Sequence, residues 1–249
     1  MSRIKWNTQG ERFFEAGVDR GVLYVGNDPG VPWNGLISVV ESPKGGKVTP
    51  YYIDGFKRLN YVEYDEYKAS VEAYTYPEEF AVCDGSMLVN NGLFATEQKR
   101  KPFGLVYRTL VGNDLKGVDH GYKLHVVYNA TASPSDKDHN TVSDILEPFN
   151  FQWEISTKPS EMTGYKPTSH FVIDTRQTPA NLVSVVEDIF YGTITDEPRL
   201  PSVNELMFLF NNYNSVFKDA GTLVETYYEF LDAGYFPEEY TDEVNAGGP

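Results

Sequence analysis

The clearest alternation of apolar and polar residues lies between positions 149 and 156. The apolar positions are Phe149, Phe151, Trp153 and Ile155, and the polar positions between them are Asn150, Gln152, Glu154 and Ser156. A period of two residues is that of a β-strand, because successive side chains point to opposite faces. The pattern therefore predicts a strand in an antiparallel sheet that packs on one face and contacts water on the other.

Shorter apolar runs bounded by turn residues predict further strands through most of the chain. They lie at 21–26, 36–40, 50–53, 67–75, 102–110, 123–128 and 169–174. Asp54-Gly55 follows one of these runs and is a favoured hairpin dipeptide. Many short strands separated by turns predict a mainly β fold.

A long hairpin, 122–157, is predicted from the strand at 123–128 and the alternating strand. In the first strand Leu124, Val126 and Tyr128 share one face, and Lys123 and His125 share the other. The predicted connection is a polar loop from Asn129 to Glu147. Loops longer than about 12–15 residues are usually functional or disordered, so this loop is a candidate for contact with a neighbouring subunit.

Two helices are predicted after the strands. Thr178 is a candidate N-cap, Pro179 suits the first helical position, and Gly192 ends the apolar helical spacing. Ser202 and Glu205 form a capping-box pattern for a second helix. We expect a β-rich domain at 1–200, followed by a C-terminal helix and an acidic extension at 201–249.

Charge is distributed unevenly. Residues 1–125 contain 15 Lys and Arg against 16 Asp and Glu, whereas residues 126–249 contain 6 against 20, which gives the net charge of −15. Proteins that hold nucleic acid tightly are basic, because they neutralise phosphates. We therefore expect no tight DNA binding, and we expect the acidic segment from Asp219 to Pro249 to extend into water.

Few sequence patterns indicate catalytic, cofactor-binding or metal-binding residues. The sequence contains no phosphate loop, dinucleotide fingerprint, nucleophile elbow or HExxH pattern, so we expect a non-enzymatic protein without catalytic, cofactor or metal residues. His120 and His125 fall on opposite strand faces, and His170 is expected on an exposed polar face with Asp174. The single cysteine, Cys83, excludes an intrachain disulfide, and no apolar run is long enough for a membrane helix. We therefore expect a soluble protein without a signal peptide.

A joint pattern covers residues 101–200. It comprises KPFGLVYRT at 101–109, GND at 112–114, GYKLHVVYNATASPSDKDHNTVSD at 121–144, FQWE at 151–154, TKP at 157–159, KPTSH at 166–170 and RLP at 199–201. Together these segments resemble the major tail protein, the tail tube subunit, of long-tailed, siphovirus-type bacteriophages, particularly those of actinobacterial hosts. The resemblance extends more weakly over 11–100 and ends near residue 213.

The resemblance implies a tail-tube fold: two packed antiparallel sheets, as a sandwich or barrel, with a flanking α-helix and here a mixed acidic C-terminal segment. Six subunits would form a ring, and stacked rings would form a tube through which genomic DNA passes during ejection. The implied partners are further copies of the chain and other tail proteins, such as the tape measure, terminator and distal tail proteins. The implied location is the virion, after assembly in the host cytoplasm.

Two sets of site residues follow from placing the hairpin in such a tube. The lumen-facing residues are predicted to be Asn150, Gln152, Glu154 and Ser156. The inter-subunit loop is predicted to comprise Ser133, Pro134, Ser135, Asp136, Lys137, Asp138, His139 and Asn140. Three alternatives stay open: a distal tail or tube-end ring protein of the same fold, a carbohydrate-binding β-sandwich that uses Trp33 and surface tyrosines, and a hydrolase with a pair of acidic residues. Trp153 is expected in the core.

Overall fold

The computed structural model describes residues 3–46, 48–62, 65–134, 137, 141 and 149–213. The predicted acidic extension from Asp219 and five predicted loop residues, Ser135, Asp136, Asp138, His139 and Asn140, lie outside these ranges. The strands are β1 (Phe13–Tyr24), β2 (Val31–Trp33), β3 (Leu36–Glu41), β4 (Val48–Ile53), β5 (Phe56–Val62), β6 (Lys68–Ala73), β7 (Met87–Asn90), β8 (Leu93–Ala95), β9 (Phe103–Asn113), β10 (Gly117–Ala132), β11 (Phe151–Thr157) and β12 (His170–Asp174). A 3₁₀ helix, Glu78–Val82, and two α-helices, α1 (Ala180–Tyr191) and α2 (Val203–Asn211), complete the fold. The predicted mainly β class is confirmed.

Eight strands form one antiparallel sheet. Seven follow the order β2-β1-β9-β10-β11-β6-β3, and β12 pairs with β10 beside this path. The sheet curls on itself, because Tyr107 of β9 donates a hydrogen bond to Glu41 of β3, at 2.6 Å. On a flat sheet these strands would lie four spacings of about 4.8 Å apart. The curl gives the sandwich or barrel arrangement that was predicted.

Strand β10 changes partner at Asn129. Residues 123–127 pair with β12, and residues 130–132 pair with β11. Asn129 lies between them with φ of +50°, a left-handed conformation that asparagine tolerates better than most residues. Its side-chain amide donates to the Ser160 hydroxyl at 3.0 Å, which holds the bulge in place.

The predicted long hairpin, 122–157, is therefore wrong in its extent. Strands β10 and β11 pair over three residues only, and the main partner of β11 is β6, from Phe151 opposite Ala73 to Ser156 opposite Lys68. Strands β10 and β6 both alternate apolar and polar residues, so pairing with either strand would satisfy the sequence pattern of β11. The bulge in β10 directs its longer half to β12 instead.

Two cores lie on opposite faces of the sheet. The inner core fills the curl and includes Trp153, Leu105 and Val71, with Phe80 of the 3₁₀ helix. The outer core lies between the sheet and both α-helices. Its buried members are Val22, Tyr24, Val106, Leu124, Val126, Tyr128, Ile173, Leu182, Val186, Phe190, Val203, Leu206 and Leu209. The central strands are consequently buried on both faces, which explains their continuous apolar runs.

The helix signals are confirmed with one shift. The helix α1 is capped at Pro179, while the hydroxyl of Thr178 donates to the Asp174 carbonyl at 2.9 Å. The hydroxyl of Ser202 accepts from the backbone N–H of Glu205, as the capping-box pattern predicts. The carboxylate of Glu205 pairs with Arg199 instead of closing the box, at 2.6 and 2.8 Å.

Candidate self-assembly surface

A two-stranded hairpin, residues 48–62, projects from the body and is called the aromatic arm here. It continues the β3–β6 pair, to which a bridge between Lys44 and Glu66 connects it. Asp54 and Gly55 form its turn with φ of +53° and +77°, which matches the predicted hairpin dipeptide. Strands β4 and β5 pair only with each other among the described strands.

The aromatic arm exposes an unusual amount of apolar surface. Its exposed large apolar side chains are Val48, Tyr51, Tyr52, Ile53, Phe56, Leu59 and Tyr61. Tyr51 lies opposite Leu59, and Tyr61 follows two residues along the same strand, so these three share one face. An isolated two-stranded hairpin is marginally stable in water, and apolar patches of this kind commonly mark interaction sites. The arm is therefore a candidate for burial against another chain.

A second hairpin, β7–β8, has the same character. Its turn is Asn91-Gly92, with φ of +43° and +84°, and this dipeptide is a hairpin signal that could have located the turn from sequence. Its exposed apolar side chains are Met87, Leu88, Val89, Leu93 and Phe94. These side chains add a second apolar surface that the described residues leave in contact with water.

The outward face of β11 and β6 is polar. Asn150, Gln152 and Glu154 are exposed, and Ser156 is half-buried. The amide of Asn150 donates to Glu72 at 3.0 Å, and that of Gln152 donates to Ser70 at 2.9 Å. The structure thus brings the four predicted lumen residues onto one hydrogen-bonded face, called the polar face here. Whether this face lines a lumen stays a prediction.

Two of the three tryptophans are buried in the body. Trp153 is fully buried, as predicted, and its ring N–H donates to Asp84 at 3.1 Å. Trp33 is also buried, and its ring N–H donates to the Thr75 carbonyl at 3.0 Å. A sugar site built on Trp33 is therefore wrong, because the indole packs inside the molecule beside Phe80.

The predicted inter-subunit loop is described in part. The N–H of Ser133 donates to the Glu154 carbonyl, and the ammonium of Lys137 lies 2.6 Å from Asp84. Lys137 therefore binds the body of its own chain. Contact between this loop and a neighbouring subunit stays a prediction.

Burial governs the chemistry of Cys83. The thiol is buried, and desolvation raises its pKa to about 12. The thiolate is the reactive form of cysteine, so the environment of Cys83 suppresses nucleophilic chemistry.

The histidines are arranged differently from the prediction. His125 is buried against Tyr107, with ring centroids 4.6 Å apart, and its Nδ1 lies 3.2 Å from Nε2 of His170. Burial lowers the pKa of His170 to about 4, and hydrogen bonding from His125 lowers the pKa of nearby Glu41 to about 2. The exposure expected for His170 and Asp174 is wrong, because their side chains are only 14% and 17% exposed, and Asp174 pairs with Arg176. Sequence spacing could not reveal this Glu-His-His cluster, since its members come from three strands.

Neither a protein-family model nor a curated protein matches this chain. Among solved structures, it is similar to a chain of the PVC sheath–tube complex, an extracellular contractile injection system, with 12% identity and a TM-score of 0.32 over 63% of this chain and 89% of that one. It is also similar to a chain of the anti-feeding prophage baseplate, with 8% identity and a TM-score of 0.34 over 64% and 95%. The anti-feeding prophage tube-terminating cap gives 12% identity and a TM-score of 0.31 over 63% and 89%. At these scores the matches carry no functional conclusion.

Proposed function

We propose that this chain is a non-enzymatic structural subunit that assembles with copies of itself into a phage-type tail tube. The aromatic arm is the observation that carries the proposal, because a projecting apolar hairpin gains most by packing on a neighbouring subunit. The resemblance at residues 101–200 supplies the kind of assembly. Six subunits form each ring, and the rings stack into a conduit for DNA.

The sheet edges support ring formation. Strand β3 ends the sheet path, and residues 13–20 of β1 pair only with β9 among the described strands. Exposed edges tend to pair with other chains, and closure of a ring removes them. The strand edges therefore offer contacts within a ring. The aromatic arm offers a separate contact with a neighbouring subunit of the same ring or of the next ring.

The polar face is proposed to line the lumen. Its hydrogen-bonded amides and hydroxyls are accompanied by the carboxylates of Glu72 and Glu154, with Lys68 paired to Glu66 at 3.1 Å. Such a surface repels phosphates more than it attracts them, so DNA would pass without tight binding. The tape measure, terminator and distal tail proteins are proposed as further partners, in a virion assembled in the host cytoplasm. Among the described residues, no helix is long and apolar enough to cross a bilayer.

Electron microscopy and size-exclusion chromatography of the purified chain test the proposal. We expect tubes or stacked rings from the wild type, and none from the triple variant Tyr51→Ser, Leu59→Ser, Tyr61→Ser. The matched control is Ile194→Ser, which removes a fully exposed apolar side chain from the loop between α1 and α2. Isolated rings from the wild type would favour the tube-end alternative, and a wild-type monomer at high concentration would overturn self-assembly.

A labelling experiment tests the lumen. The variant Glu154→Cys should react with a bulky maleimide in free subunits and be protected in tubes, whereas Ile194→Cys should react in both. The native thiol adds little background, because Cys83 is buried. Equal labelling of Glu154→Cys in tubes and free subunits would place the polar face outside.

A further inference from the structure

Three side chains that bind metals well converge at one point of the curled sheet. Glu41 ends β3, His125 lies within β10, and His170 begins β12. One ligand atom from each lies within 4.8 Å of the other two. Two imidazoles and one carboxylate form a donor set that suits zinc.

The distances fit a bound ion. His125 Nδ1 lies 3.2 Å from His170 Nε2 and 3.2 Å from Glu41 Oε1, and His170 Nε2 lies 3.8 Å from Glu41 Oε1. Tetrahedral zinc, with bonds of about 2.0–2.1 Å, needs its ligand atoms about 3.4 Å apart. The triangle therefore needs adjustments of only a few tenths of an ångström to hold zinc.

The surrounding hydrogen bonds orient the ligand atoms. Thr109 Oγ1 lies 3.0 Å from Nε2 of His125. When that nitrogen donates to Thr109, the lone pair of Nδ1 points into the cluster. The hydroxyl of Tyr107 donates to Glu41 at 2.6 Å, which positions the carboxylate. Partners of this kind, behind the ligands themselves, are typical of metal sites.

Three atoms that can each bind a cation share one small space. The carboxylate of Glu41 only accepts hydrogen bonds, and each imidazole presents one nitrogen to it that is free to bind a cation when the ring proton lies on the other nitrogen. A divalent ion would satisfy all three atoms together. The site is also reachable, because the side chain of Glu41 is 37% exposed whereas those of His125 and His170 are mostly buried.

We propose that Glu41, His125 and His170 form a Zn²⁺ site, with solvent in the remaining coordination position. The ion joins β3 to β10 and β12 and so fastens the curl of the sheet. Because β3 leads directly into the aromatic arm, the ion also fixes the base of that arm. Binding of the ion to the folded state stabilises that state by mass action.

Calorimetric titration with Zn²⁺ tests the site. The full chain, without a polyhistidine tag and stripped with EDTA, should bind one Zn²⁺, and excess Mg²⁺ should not compete, because Mg²⁺ prefers oxygen ligands in octahedral geometry. Glu41→Gln and His170→Ala should each weaken binding by more than about 100-fold, and Tyr107→Phe by about tenfold. The matched control, His120→Ala, removes a histidine from the same strand and should leave the affinity unchanged.

Melting curves separate loss of the ligands from loss of the fold. Zn²⁺ should raise the Tm of the wild type and of His120→Ala, but not that of Glu41→Gln, which keeps the shape of the side chain. Absence of Zn²⁺ binding by the wild type would overturn the site. Unchanged affinity in either folded ligand variant, or equal loss in His120→Ala, would also overturn it. None of these measurements depends on tube assembly.

Discussion

The central strands and the aromatic arm have similar apolar content and opposite environments. In β9, Leu105, Val106 and Tyr107 are all buried, because the inner core covers one face and the helices cover the other. In the arm, Tyr52 and Phe56 are 66% and 67% exposed. An apolar strand pattern therefore specifies a need for burial, and the fold decides whether the same chain meets that need.

The sharpest test of this comparison uses two tryptophans. Trp153→Ala should lower the free energy of unfolding by about 3–5 kcal/mol, because truncation of a core aromatic loses burial and leaves a cavity. Trp6→Ala should change it by less than about 0.5 kcal/mol, since Trp6 is 79% exposed. Urea denaturation of the unassembled protein measures both. A wild-type midpoint for Trp153→Ala would contradict the placement of Trp153 in the core.

Two leucine substitutions compare the central strands with the aromatic arm directly. Leu105→Ala, in the body, should cost about 2–5 kcal/mol of unfolding free energy. Leu59→Ala, in the arm, should cost less than about 0.5 kcal/mol in free subunits, because Leu59 is already 60% exposed. The arm variant should instead weaken assembly, measured by sedimentation at increasing protein concentration. Equal losses of stability in the two variants would contradict the different burial of the two leucines.

The mildest test labels the thiol of Cys83 in the wild-type protein and needs no substitution. The thiol of Cys83 should react with iodoacetamide at pH 8 much more slowly than a free thiol, since it is buried and its pKa is raised to about 12. Reaction should accelerate at the urea concentration that unfolds the body. Rapid labelling without denaturant would contradict the burial of this thiol in the inner core.

The outcome for individual residues shows what sequence patterns can predict. The alternation of β11, the Asp54-Gly55 turn and the Ser202 cap depend on neighbours within a few residues, and each was predicted correctly. The extent of the 122–157 pairing was not, because β10 changes partner at Asn129 and pairs with β11 only over residues 130–132. The alternation of β10 correctly separated His125 from Leu124, but it could not show that a second layer buries both faces.

The candidate surfaces also differ in whether the sequence predicted them. The polar alternation of Asn150, Gln152, Glu154 and Ser156 located one face from sequence alone. Exposure of the aromatic arm was not predictable, because its apolar residues would suit a core equally well. The Glu-His-His cluster was also missed, since 84 residues separate Glu41 from His125 and only the curl of the sheet brings them together.

The β class, the two-faced strand, the Ser202 cap and the unequal distribution of charge can be read from the sequence alone. These properties follow from side-chain period, turn chemistry and residue type, which act over a few positions. The partners of each strand, the burial of Trp33, the exposure of the arm and the proximity of Glu41 to His125 and His170 arise from the tertiary structure. Those features depend on contacts between distant segments, and many pairings of two-faced strands satisfy the same local pattern until packing selects one.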